Sequence, residues 1–215
     1  MGRYDGKNVV ITGGSSGLGF AAAQYLVDNG ARVLVTGRSC ETLDDAGLRL
    51  GSNGITVRSD ASSLRDIDAL AGRARDEFGT VDALVVNAGI GSFDPFDAVT
   101  EETFDQVFAI NTKGPFFTVQ KLAPLLAEGS GVVLTTSIAN QTGWDALSVY
   151  SASKAALRSM ARTLSKELLP RGIRVNAISP GSIDTGKLEK EVPERAAQLK
   201  AEFTASSPMR RWGQA

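Results

Sequence analysis

Thr12-Gly13-Gly14-Ser15-Ser16-Gly17-Leu18-Gly19 follows the apolar run Val9-Val10-Ile11 and opens a segment of helical period, and this stretch decides how the chain reads. Glycines permit positive φ and let backbone come close to a ligand. A helix starting on such a turn aims its unpaired N–H groups and positive dipole end at it, which makes a cradle for a phosphate. The spacing is G-x-x-x-G-x-G rather than the G-x-G-x-x-G of the general dinucleotide fingerprint. A purely structural tight turn would use the same residues. The position at a first strand-to-helix junction favours a bound nucleotide.

On either side of this turn, short β-branched runs alternate with longer helical segments. The pattern predicts strands at Asn8–Thr12, Arg32–Thr36, Ile55–Arg58, Ala83–Val86, Val132–Thr136 and Arg174–Ile178. It predicts helices over Leu18–Asn29, Cys40–Leu50, Leu64–Phe78, Glu101–Leu126 and Ser148–Leu169. Most of the strand runs are continuously apolar, as suits strands covered on both faces. Regular strand–helix alternation with short connections points to a doubly wound, mostly parallel, Rossmann-like α/β sheet. No repeat or linker interrupts it, so residues 1–215 read as a single domain. Residues 187–203, with Leu188 and Val192 four apart, read as one or two amphipathic helices within a 182–205 segment, either a lid over a site or a surface helix. The stretch Met209 to Ala215 has no clear period.

Composition narrows the functions available. Lysine and arginine number 23 against 24 acidic residues, a net charge of −1, and no basic run stands out. Neither nucleic acid nor an anionic membrane is therefore expected as a partner. Histidine is absent, which removes Ser-His-Asp catalysis and histidine metal ligation. The lone Cys40 cannot form an internal disulfide or a zinc cluster, so no metal is expected. With no apolar run of signal-peptide or membrane-spanning length, the expected setting is cytoplasmic.

The glycine spacing is joined by Asn87-Ala88-Gly89 after the fourth strand, Asn111, Ser137 after the fifth, Tyr150-x-x-x-Lys154, and Pro180-Gly181 after the sixth. Together, in this order and over nearly the whole chain, they resemble the short-chain dehydrogenase/reductase family. The resemblance implies interconversion of a ketone or aldehyde and an alcohol by hydride transfer to or from a nicotinamide dinucleotide.

Tyr150 and Lys154 are four apart in a helical stretch, which puts both on one face. A free tyrosine titrates near pH ~10, and a neighbouring ammonium favours the phenolate. An ordinary amphipathic helix with a half-buried tyrosine is the bland rival. The resemblance implies that Tyr150 is the acid/base, that Lys154 also binds the nicotinamide ribose, and that Ser137 steadies the substrate oxygen. It further implies that Asn111 bends its helix and holds a water that relays protons to Lys154. For the cofactor, it implies contacts from Gly13, Ser15, Ser16, Gly17, Leu18 and Gly19 in the turn. Asp60 would meet the adenine amino group, Asn87, Ala88 and Gly89 the adenosine, and Pro180, Gly181, Ile183 and Thr185 the nicotinamide. Gly186 and Lys187 depart from the family pattern, where proline is common after that threonine.

Thr36-Gly37-Arg38 ends the second strand without the carboxylate that NAD-specific enzymes use for the ribose 2′-hydroxyl, and Arg38 suits a 2′-phosphate. NADP(H) is therefore the expected cofactor, with NAD(H) as the alternative. Trp144 and Phe93 read as an apolar pocket wall or as core, and Asn140 and Gln141 as polar handles for a small carbonyl or alcohol substrate. A non-catalytic nucleotide-sensing Rossmann protein is the competing reading, opposed by the intact Ser137, Tyr150 and Lys154 set. Sugar-nucleotide epimerases of the same superfamily have a different glycine spacing. Family members usually continue past this point with a further helix and a last strand. The sequence is therefore expected to lack those elements as a truncated record, and the native protein to be a homodimer or homotetramer.

Overall fold

The computed structural model describes residues 2–215, the side chain of residue 191 excepted. Six parallel strands, β1 (Asn8–Thr12), β2 (Arg32–Gly37), β3 (Gly54–Arg58), β4 (Val81–Val86), β5 (Leu126–Thr135) and β6 (Arg174–Ile178), form one sheet in the order β3-β2-β1-β4-β5-β6. The chain starts in the middle and reverses direction between β1 and β4, so their carboxyl ends flank the crevice where such sheets bind ligands.

Alternation along each strand sorts the core into two layers. Val10, Leu34, Leu84 and Leu134 face one side, packed under α3 (Leu64–Phe78), α5 (Gly114–Leu122) and α6 (Ser148–Leu168). Val9, Ile11, Val33 and Val35 face the other, under α1 (Gly17–Asp28) and α2 (Cys40–Leu50). This second layer fades toward the far edge, where Asn176 is exposed and Ile178 is 48% exposed.

The predicted helix Glu101–Leu126 is not continuous. It divides into α4 (Glu101–Phe108), a π-helical turn over Ala109–Lys113, α5 and a 3-10 turn at Ala123–Leu125. Two prolines account for the breaks. Pro115 has no N–H for the carbonyl of Asn111 four residues back, and the Gly114 N–H bonds instead to the Ala109 carbonyl, five back. Pro124 ends α5, so β5 starts at Leu126 rather than Val132. Val81 pairs with Leu126 and Ala83 with Gly131, so the ladder skips the intervening residues.

Past β6 the chain forms β7 (Ile183–Asp184), α7 (Lys187–Glu191), α8 (Ala196–Ser206) and β8 (Gly213–Gln214), with β7 and β8 paired in parallel. Neither short strand was legible, because two residues carry no period. Leu188, Ala196 and Leu199 make a small core of their own, with Phe93, Val192, Phe203 and Trp212 packed on it. Lys200 ties the unit together: its Nζ lies 2.9 Å from both Asp184 Oδ2 and Glu189 Oε1. Among the described residues, no helix is long and apolar enough to cross a membrane.

Candidate active site

The crevice at the carboxyl ends of the strands is a cleft of about 580 Å³, covered on one side by α7 and α8. The glycine turn forms its floor. Gly13 N donates to Thr36 Oγ1 (3.2 Å) and Gly14 N to the Thr36 carbonyl (2.9 Å), which pins the turn to β2. Asn87 Nδ2 donates to the Gly13 carbonyl (3.1 Å), and Thr12 Oγ1 accepts from the N–H groups of both Asn87 and Ala88 (3.0 and 3.1 Å). The side chains of Thr12 and Thr36 thus hold the turn, a role the sequence reading did not give them. A hydroxyl at a strand end carries no distinguishing signal.

The glycines are sterically required. A Cβ on Gly19 would lie 2.2 Å from the Gly13 carbonyl oxygen, and one on Gly13 would lie 2.9 Å from Ala88 Cα. Gly17 has φ +54°, and its missing Cβ leaves room for Thr185. The helix behind the turn has no side-chain cap, as is also true of α5 to α8. Ser39, Ser63 and Thr100 each cap their own helix by accepting a backbone N–H, whereas Ser16 makes no such bond to α1. The first turn of α1 is left uncapped at the cleft, with Ser15, Ser16, Gly17 and Leu18 in its lining, as an anion site requires. These features fit a dinucleotide.

Arg38 is exposed at the end of β2 and lines the cleft. Register pairs Gly37 with Arg58, and Arg58 Nε donates to the Arg38 carbonyl (3.3 Å), which ties Arg58 to the backbone of Arg38. The sequence hid this pairing, since the two arginines are far apart along the chain. Asp60 lines the same end, with Oδ1 accepting from Ser62 N and Ser62 Oγ (2.8 and 2.7 Å).

At the other end stand Ser137, Tyr150 and Lys154. Ser137 follows β5, with Oγ accepting from Ala139 N (3.2 Å). Tyr150 and Lys154 share a face of α6, with Lys154 Nζ 5.8 Å from the Tyr150 ring centroid. Lys154 is 4% exposed and donates to the Thr135 carbonyl (3.1 Å). Burial lowers its pKa to about 8, and the positive charge of Lys187 adds to the effect. A phenol and a hydroxyl beside a buried ammonium can trade a proton with a substrate oxygen.

Asn111 does not line the cleft; it is fully buried behind Gly89. Its Oδ1 accepts from Ile90 N (2.9 Å), and its Nδ2 donates to the Ile90 carbonyl and Ser153 Oγ (3.0 and 3.1 Å). A Cβ on Gly89 would be 3.1 Å from both Asn111 Oδ1 and Lys154 Nζ, so the glycine leaves room for both groups. Pro180, Gly181, Ile183 and Thr185 line the cleft opposite. Lys187, which departs from the family pattern, reaches across to the Gly89 carbonyl (Nζ–O 2.8 Å) from a helix whose N-cap, Gly186, has φ +66°.

Two expected handles are not there. Neither Asn140 nor Gln141 lines the cleft. The Asn140 amide turns inward to Thr136 Oγ1, Ser179 Oγ and the Ser137 carbonyl, where it braces the loop instead. Phe93 and Trp144 do line the cleft, joined by Phe203 and Trp212.

Comparison with known proteins agrees with this geometry. The short chain dehydrogenase family model matches residues 7–196. Oxidoreductase asL5 of Sarocladium schorii is 41% identical over 214 residues, which cover 99% of this chain and 85% of that protein. Galactitol 2-dehydrogenase of Agrobacterium fabrum is 34% identical over 185 residues, covering 85% of this chain and 72% of its own length. The crystal structure of levodione reductase superposes with a TM-score of 0.90 at 32% identity, covering 99% of this chain and 87% of that one. The chain belongs to the short-chain dehydrogenase family. It is an oxidoreductase acting on CH–OH groups, from a family that uses nicotinamide dinucleotides.

Proposed function

We propose that the protein is an NADP(H)-preferring carbonyl reductase and alcohol dehydrogenase for a small-molecule substrate, with Tyr150 as its acid/base. The observation that carries this reading is the convergence of Tyr150, Lys154 and Ser137 on one cleft with an uncapped, glycine-floored helix start. Among the relatives, galactitol 2-dehydrogenase is named for alcohol oxidation and levodione reductase for carbonyl reduction. Both directions use the same groups.

When bound, the dinucleotide supplies or accepts the hydride. Tyr150 gives its phenolic proton to the carbonyl oxygen during reduction and takes it back in oxidation. Ser137 donates a hydrogen bond to the same oxygen as its negative charge grows. Lys154 holds its ammonium beside the ring, which favours the phenolate, and also binds the nicotinamide ribose. Asn111 holds the π-turn open, so that its own carbonyl, spared by Pro115, can hold a water on the proton path to Lys154. Gly13 and Ser15 to Leu18 hold the pyrophosphate, with Gly19 buried behind them rather than in the lining, Asp60 and Asn87 to Gly89 hold the adenosine, and Pro180 to Thr185 the nicotinamide. Arg38, with Arg58 bonded to its backbone, supports NADP(H) over NAD(H): Arg38 lines the cleft just past β2, and β2 itself carries no carboxylate.

A homo-oligomer is supported by the outer face of α4 and α5, where Phe104 and Phe116 are 44% and 40% exposed and Phe104 stacks on Phe108. The single, unpaired cysteine supports a cytoplasmic setting. A panel of carbonyls and alcohols run with NADPH, NADH and their oxidised forms, followed at the absorbance of the reduced nicotinamide, tests the reading. Turnover that is faster with NADH, or absent with every substrate, would overturn it.

A further inference from the structure

Beyond Ser137 and Tyr150 the cleft is walled by rings from four separate stretches. Phe93 follows β4, Trp144 precedes α6, Phe203 is on α8 and Trp212 leads into β8. Trp144 and Phe203 meet edge to face, with centroids 5.1 Å apart and planes at 82°. Phe203 and Trp212 lie 6.1 Å apart at 47°.

Phe93, Phe203 and Trp212 pack on the core of the covering unit and still line the cleft. The unit's buried centre is Leu188, Ala196 and Leu199, while the four aromatics are only half-buried. Their polar edges are already used inside the protein. Trp144 Nε1 donates to Thr142 Oγ1 (2.7 Å) and Trp212 Nε1 to the Lys200 carbonyl (3.2 Å). Neither indole therefore has a donor to spare for a substrate hydroxyl, and Asn140 and Gln141 stand outside the lining. Ser182, Lys187 and Lys190 also line the cleft, but hydroxyls set against the four rings themselves would stay unpaired. A flat ring would find edges and faces at favourable aromatic angles.

We propose that the substrate is a carbonyl compound bearing a flat aromatic ring or fused ring system, gripped by Phe93, Trp144, Phe203 and Trp212. The proposal rests on the reductase reading above and narrows it.

The chain has two tryptophans, and both stand in this wall, so indole emission reports on this end of the cleft. The full-length protein is titrated with β-tetralone and with β-decalone, which share a bicyclic frame and differ in one aromatic ring. Saturable quenching by β-tetralone is expected at concentrations about tenfold below any response to β-decalone. Steady-state kcat/KM should favour β-tetralone by about tenfold or more, and Phe203→Leu and Trp144→Leu should each lower that ratio. Equal turnover of the two ketones, or preference for an open-chain polyol, would overturn ring recognition and leave the reductase reading standing. Saturable quenching by β-tetralone with no turnover of any carbonyl would support ring recognition and overturn the reductase reading. Absence of both would overturn both.

Discussion

At one end of the cleft, Gly13, Gly17 and Gly19 let main chain press against Ala88, Thr185 and the turn itself, with hardly a side chain between. At the other, Phe93, Trp144, Phe203 and Trp212 bring rings from four distant stretches onto one wall. The first end is specified by what residues lack and where; the second by side chains whose meeting depends on how the last thirty or so residues fold back. A backbone-built site tolerates almost no change at its glycines, and a ring-built site tolerates repacking at graded cost.

The sharpest contrast is at the junction of the two ends. Tyr150→Phe keeps the ring and the fold but removes the proton, so kcat is expected to fall by at least ~100-fold. Dinucleotide binding, followed by fluorescence titration, should persist. Near-normal turnover would mean that another group handles the proton.

Next in size is a break at the nucleotide end. Gly19→Val would drive a side chain into the Gly13 carbonyl, 2.2 Å from its Cβ position, with no flexible neighbour to yield. NADPH binding should weaken at least ~10-fold, with a lowered Tm, as overpacking of backbone contacts predicts. Phe203→Leu, at the ring-built end, should leave NADPH affinity within about twofold. Equal losses in the two variants would erase the contrast.

A smaller effect tests cofactor choice. Introducing an acid at Gly37 would crowd Ser15, whose Oγ lies 2.4 Å from the Cβ position, so Arg38 is the better site. Arg38→Asp should lower the NADPH-to-NADH ratio of kcat/KM by about tenfold or more, and Arg58→Gln by less, through lost charge-assisted contacts. An unchanged ratio in both would place the 2′-phosphate elsewhere.

Lys154 offers a readout without substrate. Its pKa in the folded protein, about 8, is below the 10.5 of an exposed lysine, so the unfolded chain binds more protons between those values. This group's contribution to stability therefore rises with pH from about 8 to 10.5 and is unfavourable below. Denaturant titrations of wild type and Lys154→Met should diverge across that window, the wild type gaining; parallel curves would mean that the ammonium is not desolvated. The smallest expected effect is at Ala146, a non-glycine residue with φ +60° in the loop behind Trp144. Ala146→Gly should stabilise by up to about 1 kcal/mol, provided the loop keeps this conformation. A loss of stability would mean that it does not.

This division also explains how much could be read from the sequence. Glycine spacing, Tyr150 with Lys154, and the continuous apolar runs of β1, β2 and β4 are local patterns, and they foretold the doubly wound sheet; Asp60, Asn87 to Gly89 and Pro180 to Thr185 entered only through the family resemblance. Arg58 beside Arg38, Lys187 on the Gly89 carbonyl, and the company Phe203 and Trp212 keep with Trp144 depend on sheet register and on the return path of the chain, which no local period encodes. The long helix was over-read because Pro115 sits in a segment whose other residues keep the helical pattern. Asn140 was misplaced because the sequence does not show which way a loop amide turns.

The π-turn at Ala109–Lys113 has a consequence for how this chain can vary. It carries one residue more than a regular helix needs between α4 and α5. Deleting that residue would mend the helix and leave α4 and α5 in phase, because the wide turn takes up the extra residue locally. Val119 and Leu122 would keep their places in the core, while the inward grip of Asn111 on Ile90 would be lost. The surplus residue therefore serves the cleft and not the packing. A one-residue gap at this turn should spare the fold and cost the site, whereas a gap inside α5 would swing Val119 and Leu122 out of register.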